Sequence, residues 1–177
     1  MMSPTPLRLL AVLALGVSLL SGCTPTPEST PTPSPAFTSE EEAFAAAEAT
    51  FSEYTAATNR TDLREPATFE EVYIWLTGDA ATSARENYSR LQAEGITRSG
   101  DSTFDGMTLQ EYKAGRVMAN LCLDVSKVAL VRPDGTSAVP ADRPPRQPVD
   151  VIFAPAATDT GLAISSVVAA ETFRCDD

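Results

Sequence analysis

Between Ser39 and Asn59 the positions Phe44, Ala47, Phe51, Tyr54 and Thr58 recur at alternating three- and four-residue steps. That repeat gathers side chains on one face of a helix. Ser39 with Glu42 three positions on reads as a capping box, and Glu40 and Glu41 suit the positive end of the helix dipole. A second helix is expected from Thr68, with Glu71 completing its capping box. Phe69, Val72, Tyr73 and Leu76 would form its apolar face, and Gly78 would end it. Asp79 would then cap a third helix carrying Ala81, Ala84, Tyr88 and Leu91. Gly95 stops that helix, with Ile96 folding back as in a Schellman motif.

Beyond Gly95 the period falls from 3.6 to 2. Val117, Ala119, Leu121, Leu123 and Val125 alternate with Met118, Asn120, Cys122, Asp124 and Ser126, the clearest strand of the chain. Val128 to Val131 would continue it past a bulge near Ser126-Lys127, where the apolar parity shifts. Pro133-Asp134-Gly135 is a turn. Val149 to Phe153 and Leu162 to Ala170 read as further strands, with fainter ones at Ile96–Phe104 and Met107–Tyr112. Between them, Ala141 to Pro148 is a proline-stiffened loop carrying Arg143 and Arg146.

Helices first and an antiparallel meander afterwards give an α+β domain, with the N-terminal helices packed on one face of a curved antiparallel sheet. This order resembles the nuclear transport factor 2-like superfamily, most clearly in EEAFAAAEATFSEYTAATNR and NLCLDVSKVALVRPDGTSAV. The resemblance implies three helices set into a cone-shaped, strongly bent sheet. The superfamily often places a short strand before its third helix, and none is legible here. Its ketosteroid isomerases and SnoaL-like polyketide cyclases use a pocket carboxylate as base, with Tyr or Asp as hydrogen-bond donors. By that resemblance Phe51, Tyr54, Tyr73, Trp75 and Asp124 are candidate pocket residues, and a carboxylate raised by apolar surroundings would be a usable base. The alternation equally allows Asp124 to face solvent, opposite Leu123 and Val125, and aromatic side chains commonly fill a core.

The apolar run Leu9 to Leu20 spans about 12 residues, against the roughly 20 a membrane-spanning helix needs. Leu20-Ser21-Gly22-Cys23 follows it and resembles the lipobox of bacterial lipoproteins. The resemblance implies a signal peptide over residues 1–22 and a diacylglycerol thioether on Cys23. The acyl chains would then hold the protein on the extracytoplasmic side of the cell membrane. Thr24 to Ala36, rich in Pro, Thr and Ser, reads as a tether able to reach roughly 40 Å in an extended polyproline conformation. A single globular domain is expected over residues 37–177.

The formal net charge of −11 argues against nucleic-acid partners, since a phosphate backbone would be repelled. Lys113 and Lys127 are the only lysines among 13 basic residues, a bias that points to a GC-rich, actinobacterial genome. The chain holds no histidine, P-loop or GxGxxG, which removes His-based triads and His-ligated metals. No cofactor is expected. Asp101 to Gly106 partly matches a calcium loop, but position 12 would be Tyr112, and a turn between strands fits better. With Cys23 lipidated, Cys122 and Cys175 remain, and an oxidising compartment favours their pairing over free thiols or an intermolecular bridge. Arg143 and Arg146 form a candidate partner loop. The leading expectation is a membrane-tethered binding or interaction module that is not an enzyme. Behind it stand a pocket for a small apolar ligand and an isomerase- or cyclase-like enzyme. The assembly state stays open, a dimer included.

Overall fold

Ser39 starts α1 (Glu40–Arg60), its hydroxyl accepting from the Glu42 backbone N–H at 3.1 Å. The reciprocal bond reaches one residue further out than a capping box prescribes. The Glu42 carboxylate accepts from the backbone N–H and the hydroxyl of Thr38, both at 2.8 Å, which holds its pKa below the usual range. The computed structural model describes residues 37–175; the leader, Cys23 and the tether lie outside the described residues. Along α1 the buried positions are Ala43, Ala47, Thr50, Phe51, Thr55 and Ala57, while Phe44 and Tyr54 flank that stripe half-buried.

The second expected capping box does not form. Thr68 sits in a 3-10 turn, Pro66–Phe69, and its hydroxyl donates to the carbonyls of Asp62 and Glu65. The α2 helix that follows, Glu70–Tyr73, is a single turn. Gly78 does not end it either. With φ +52°, Gly78 opens α3 (Gly78–Ala93), so Asp79 lies in the first turn rather than at the cap. Just ahead of α3 the missing short strand is present in its smallest form. Leu76 makes a parallel bridge to Ile164, with Ile164 N–H donating to Trp75 O and Thr77 N–H to Ile164 O, each at 2.8 Å. One bridge leaves no alternating pattern in a sequence. At its far end α3 closes as expected. Gly95 takes φ +67°, Ile96 N–H reaches Leu91 O, and Gly95 N–H reaches Gln92 O.

The strands are β1 (Thr97–Ser99), β2 (Thr103–Lys113), β3 (Arg116–Asp124), β4 (Ala129–Val131), β5 (Arg146–Pro155) and β6 (Leu162–Ala169). They form an antiparallel sheet in the order β2-β3-β5-β6 and a small ribbon of β1 with β4. Val128 to Val131 therefore does not prolong β3 past a bulge. The Asp124 carboxylate turns the chain by accepting from Ser126 N–H, Val128 N–H closes onto Val125 O, and β4 leaves for the second sheet. Register shifts do occur, twice between β2 and β3 and once between β5 and β6, where they bend the sheet.

The helices cover the sheet face that carries Val117, Ala119, Leu121, Val149, Val151, Phe153, Leu162 and Ile164, all buried. This is the cone-like α+β architecture that the order of elements predicts. On the opposite face Cys122 bonds to Cys175, with Cα atoms 5.6 Å apart, so the C-terminal segment is tied to the middle of the sheet.

Candidate functional site

Along α3 the side chains of Ala80, Ser83, Ala84 and Asn87 point the same way, three and four residues apart. All are small. Where leucines at these positions would fill the space against α1 and β4, they leave a cleft of about 580 Å³. Leu63, Leu76, Tyr88 and Leu91 make its buried apolar wall, Val128 and Leu130 close one side, and Ser166 to Val168 of β6 close another. A smaller hollow of about 150 Å³ continues it toward Leu123 and Val125, and Tyr54, Thr58, Arg98 and Val128 line both.

The polar groups of this junction come from the end of α1 and from β1. Burial pushes the Tyr54 hydroxyl up to about 12, with Tyr88 adding to it and the neighbouring Thr58 hydroxyl opposing it. The Thr58 oxygen itself is buried without a well-formed hydrogen bond. Asn59 is the hub. Its Oδ1 accepts from Arg98 Nη2 (2.9 Å), Ser102 N–H (2.9 Å) and Ser102 Oγ (3.0 Å), and its Nδ2 donates to Ser102 O (2.8 Å). These bonds fix the Arg98 guanidinium at the cleft wall. Gly100, between Arg98 and Ser102, makes the approach feasible. At φ +77° a Cβ there would sit 1.8 Å from Lys127 O, so the turn needs glycine.

Of the candidate pocket residues, only Tyr54 lines this space. Phe51 is fully buried in the core, edge-on to Phe104 with centroids 4.9 Å apart. Tyr73 lies edge-on to Tyr88 at 6.1 Å, with Arg85 4.6 Å over its ring. Trp75 packs half-buried against the core beside its backbone bond to β6. Asp124 falls on the sheet face away from the helices, because it alternates with Leu121 and Leu123. Its carboxylate accepts from Ser126 N–H and lies 3.9 Å from Arg146, and these partners hold its pKa low, the reverse of what a base in an apolar pocket requires. The partner-loop cations are likewise engaged. Arg143 donates to the carbonyls of Val125 and Val128 at 3.0 and 2.8 Å, and Arg146 grips the Asp105 carboxylate with two bonds of 2.7 and 2.9 Å. Sequence reasoning missed Arg98, Asn59 and Thr58. The signal available was a single cation in a short polar strand, and nothing local sets that apart from a surface residue.

No family model and no curated protein matches the chain. Among solved structures, a Novosphingobium aromaticivorans protein provisionally named an aromatic ring hydroxylase superposes with TM-score 0.52 at 11% identity, over 73% of this chain and 88% of that one. A Catenulispora acidiphila protein in complex with S-DNPA gives TM-score 0.45 at 18% identity, over 71% and 90%. ActVI-ORFA from Streptomyces coelicolor gives TM-score 0.43 at 17% identity, over 74% and 97%. At such identities the first likeness shows the fold. It also corrects the expectation that the chain is not an enzyme. The same helix-on-sheet architecture is shared by a protein carrying an enzyme's name, so a chain without histidine is not thereby set outside enzyme chemistry.

Proposed function

We propose that this protein is a lipid-tethered extracytoplasmic pocket protein, which takes a small and largely apolar ligand into the cleft between α3, α1 and β4. The cleft carries the reading. Its volume of about 580 Å³ falls within the range of roughly 300–1,000 Å³ typical of small-molecule sites. Its walls are mainly apolar, and a few polar groups, Tyr54, Thr58 and Arg98, converge at one place, the pattern that orients a ligand. The tether rests on the Leu20-Cys23 segment, and the Cys122–Cys175 pair suits an oxidising compartment. The arginine-rich basic set fits an actinobacterial envelope as the place of work.

Native mass spectrometry of the lipoprotein, recovered from its own envelope without refolding, tests the pocket. A reproducible extra mass that leaves on denaturation supports it. The bare lipidated chain in repeated preparations overturns it. For the tether, Cys23→Ser is expected to move the protein from the membrane fraction to the soluble one, and continued membrane retention refutes the lipid anchor.

A further inference from the structure

Among the described residues, four arginines meet a carboxylate. Arg60 pairs with Glu71, Arg64 with Asp62, Arg90 with Glu94 and Arg146 with Asp105. Arg98 is different. Among the described residues no carboxylate lies within ion-pair distance of it, and its one side-chain hydrogen bond goes to the neutral amide oxygen of Asn59. Asn59 is itself locked by three bonds to Ser102, so the guanidinium is aimed but not neutralised. It is half-buried in a mainly apolar cleft, at the junction of the large and small hollows. A cation removed from water without a counter-charge is costly, and a neutral side chain would line the cleft at lower cost.

We propose that the ligand of this cleft carries an anionic oxygen headgroup, a carboxylate or equivalent oxyanion, that seats on Arg98 while its apolar body lies along α3. This rests on the pocket reading above and narrows it to a chemical class. The remaining guanidinium donors supply the planar fork that matches two oxygens of one anion. The Tyr54 hydroxyl on the same junction is a neutral donor for a further bond. The cleft's own acid, Asp79, stands at the other end of α3, the end that lies against β6, whereas Arg98 pairs in register with Leu130 of β4. The small faces of Ala80, Ser83 and Ala84 leave room for a body of fused rings or a short chain.

The test uses the full-length lipoprotein in nanodiscs, with empty nanodiscs as blank, and two fluorescent probes, anthracene-2-carboxylate and its neutral carboxamide. The wild type is expected to bind the carboxylate at least tenfold more tightly. Arg98→Met should bring the two probes within threefold of each other, and Arg98→Lys should keep part of the preference. The wild-type comparison needs no variant to fold. Equal affinity of the wild type for both probes overturns the anionic headgroup and leaves the pocket standing. Binding of neither probe removes both readings together.

Discussion

Asn59→Ala removes the hub that joins α1 to the β1–β2 turn. Four hydrogen bonds go with it, three to Ser102 and one to Arg98. Neutral bonds contribute about 1 kcal/mol each net, and the bond to the guanidinium about 1.5. The gross loss is thus about 4 to 5 kcal/mol. Two effects reduce it. The site is only partly buried, so water re-forms about half of the bonds, and alanine near the end of α1 recovers about 0.5 kcal/mol of helix propensity. The expected destabilisation is about 2 kcal/mol. Urea unfolding followed by circular dichroism reads it as a lower midpoint at unchanged slope. Asn59→Asp gives a sharper check. It keeps the three acceptor bonds and adds a charge opposite Arg98, but it replaces the donor to Ser102 O with an oxygen that repels that carbonyl. Its cost should be about half that of Asn59→Ala, which corresponds to about 1 kcal/mol. A loss under 0.5 kcal/mol for Asn59→Ala, on the order of a single exposed hydrogen bond, refutes the hub, as would equal losses for the two variants.

Three more outcomes follow from the fold. Ala114 takes φ +50° beside Gly115 at +79° in the two-residue turn joining β2 to β3, so Ala114→Gly should stabilise by about 0.5–1 kcal/mol, and a lowered urea midpoint would contradict it. Replacing both Cys122 and Cys175 with Ser opens a loop of sequence separation 53 and should cost about 4 kcal/mol on the chain-entropy model, with a midpoint unchanged from wild type as the refuting result. Arg64 donates to the Asp62 carboxylate from side chain and backbone and lowers its pKa from the usual 3.8 to about 2. A depressed carboxylate stabilises the fold above the unfolded value, and that contribution is lost as pH falls through the folded one. The gap in midpoint between wild type and Asp62→Asn should therefore narrow from pH 5 to pH 2, and a constant gap would exclude the pairing.

Long periodic elements were legible from the sequence because one residue pattern decides each of them. The cap at Ser39, the Schellman end at Gly95 and the alternation of β3 all follow from side-chain spacing and from glycine's access to positive φ. Misreadings cluster where tertiary contacts compete with local signals. Thr68 has the residue types of a cap, but its hydroxyl serves the carbonyls of the preceding loop. Gly78 looks like a helix end, yet the bridge between Leu76 and Ile164 sets the chain direction and makes that glycine a beginning. The change of parity after Val125 was visible, but whether it marks a bulge or a change of sheet depends on β1, nearly thirty residues earlier in the chain.

The site was harder to read for a related reason. Searching for large aromatic residues finds what fills space, and Phe51, Tyr73 and Trp75 accordingly pack into or against the core. A cleft is made by the side chains that leave space open, and Ala80, Ser83 and Ala84 carry no signal beyond compatibility with a helix. Charge behaves the same way. Arg143 and Arg146 stood out in a proline-rich loop, and both are used up by carbonyls and carboxylates of their own chain. Arg98 lies in a three-residue strand among polar neighbours. Its character comes from Asn59, which reaches it across 39 positions of sequence and holds it with a neutral oxygen. Since alternation puts Asp124 on the outer face of the sheet, the groups gathered at the junction of the two hollows are a guanidinium and a neutral phenol, and the cleft's carboxylate is that of Asp79 in the first turn of α3.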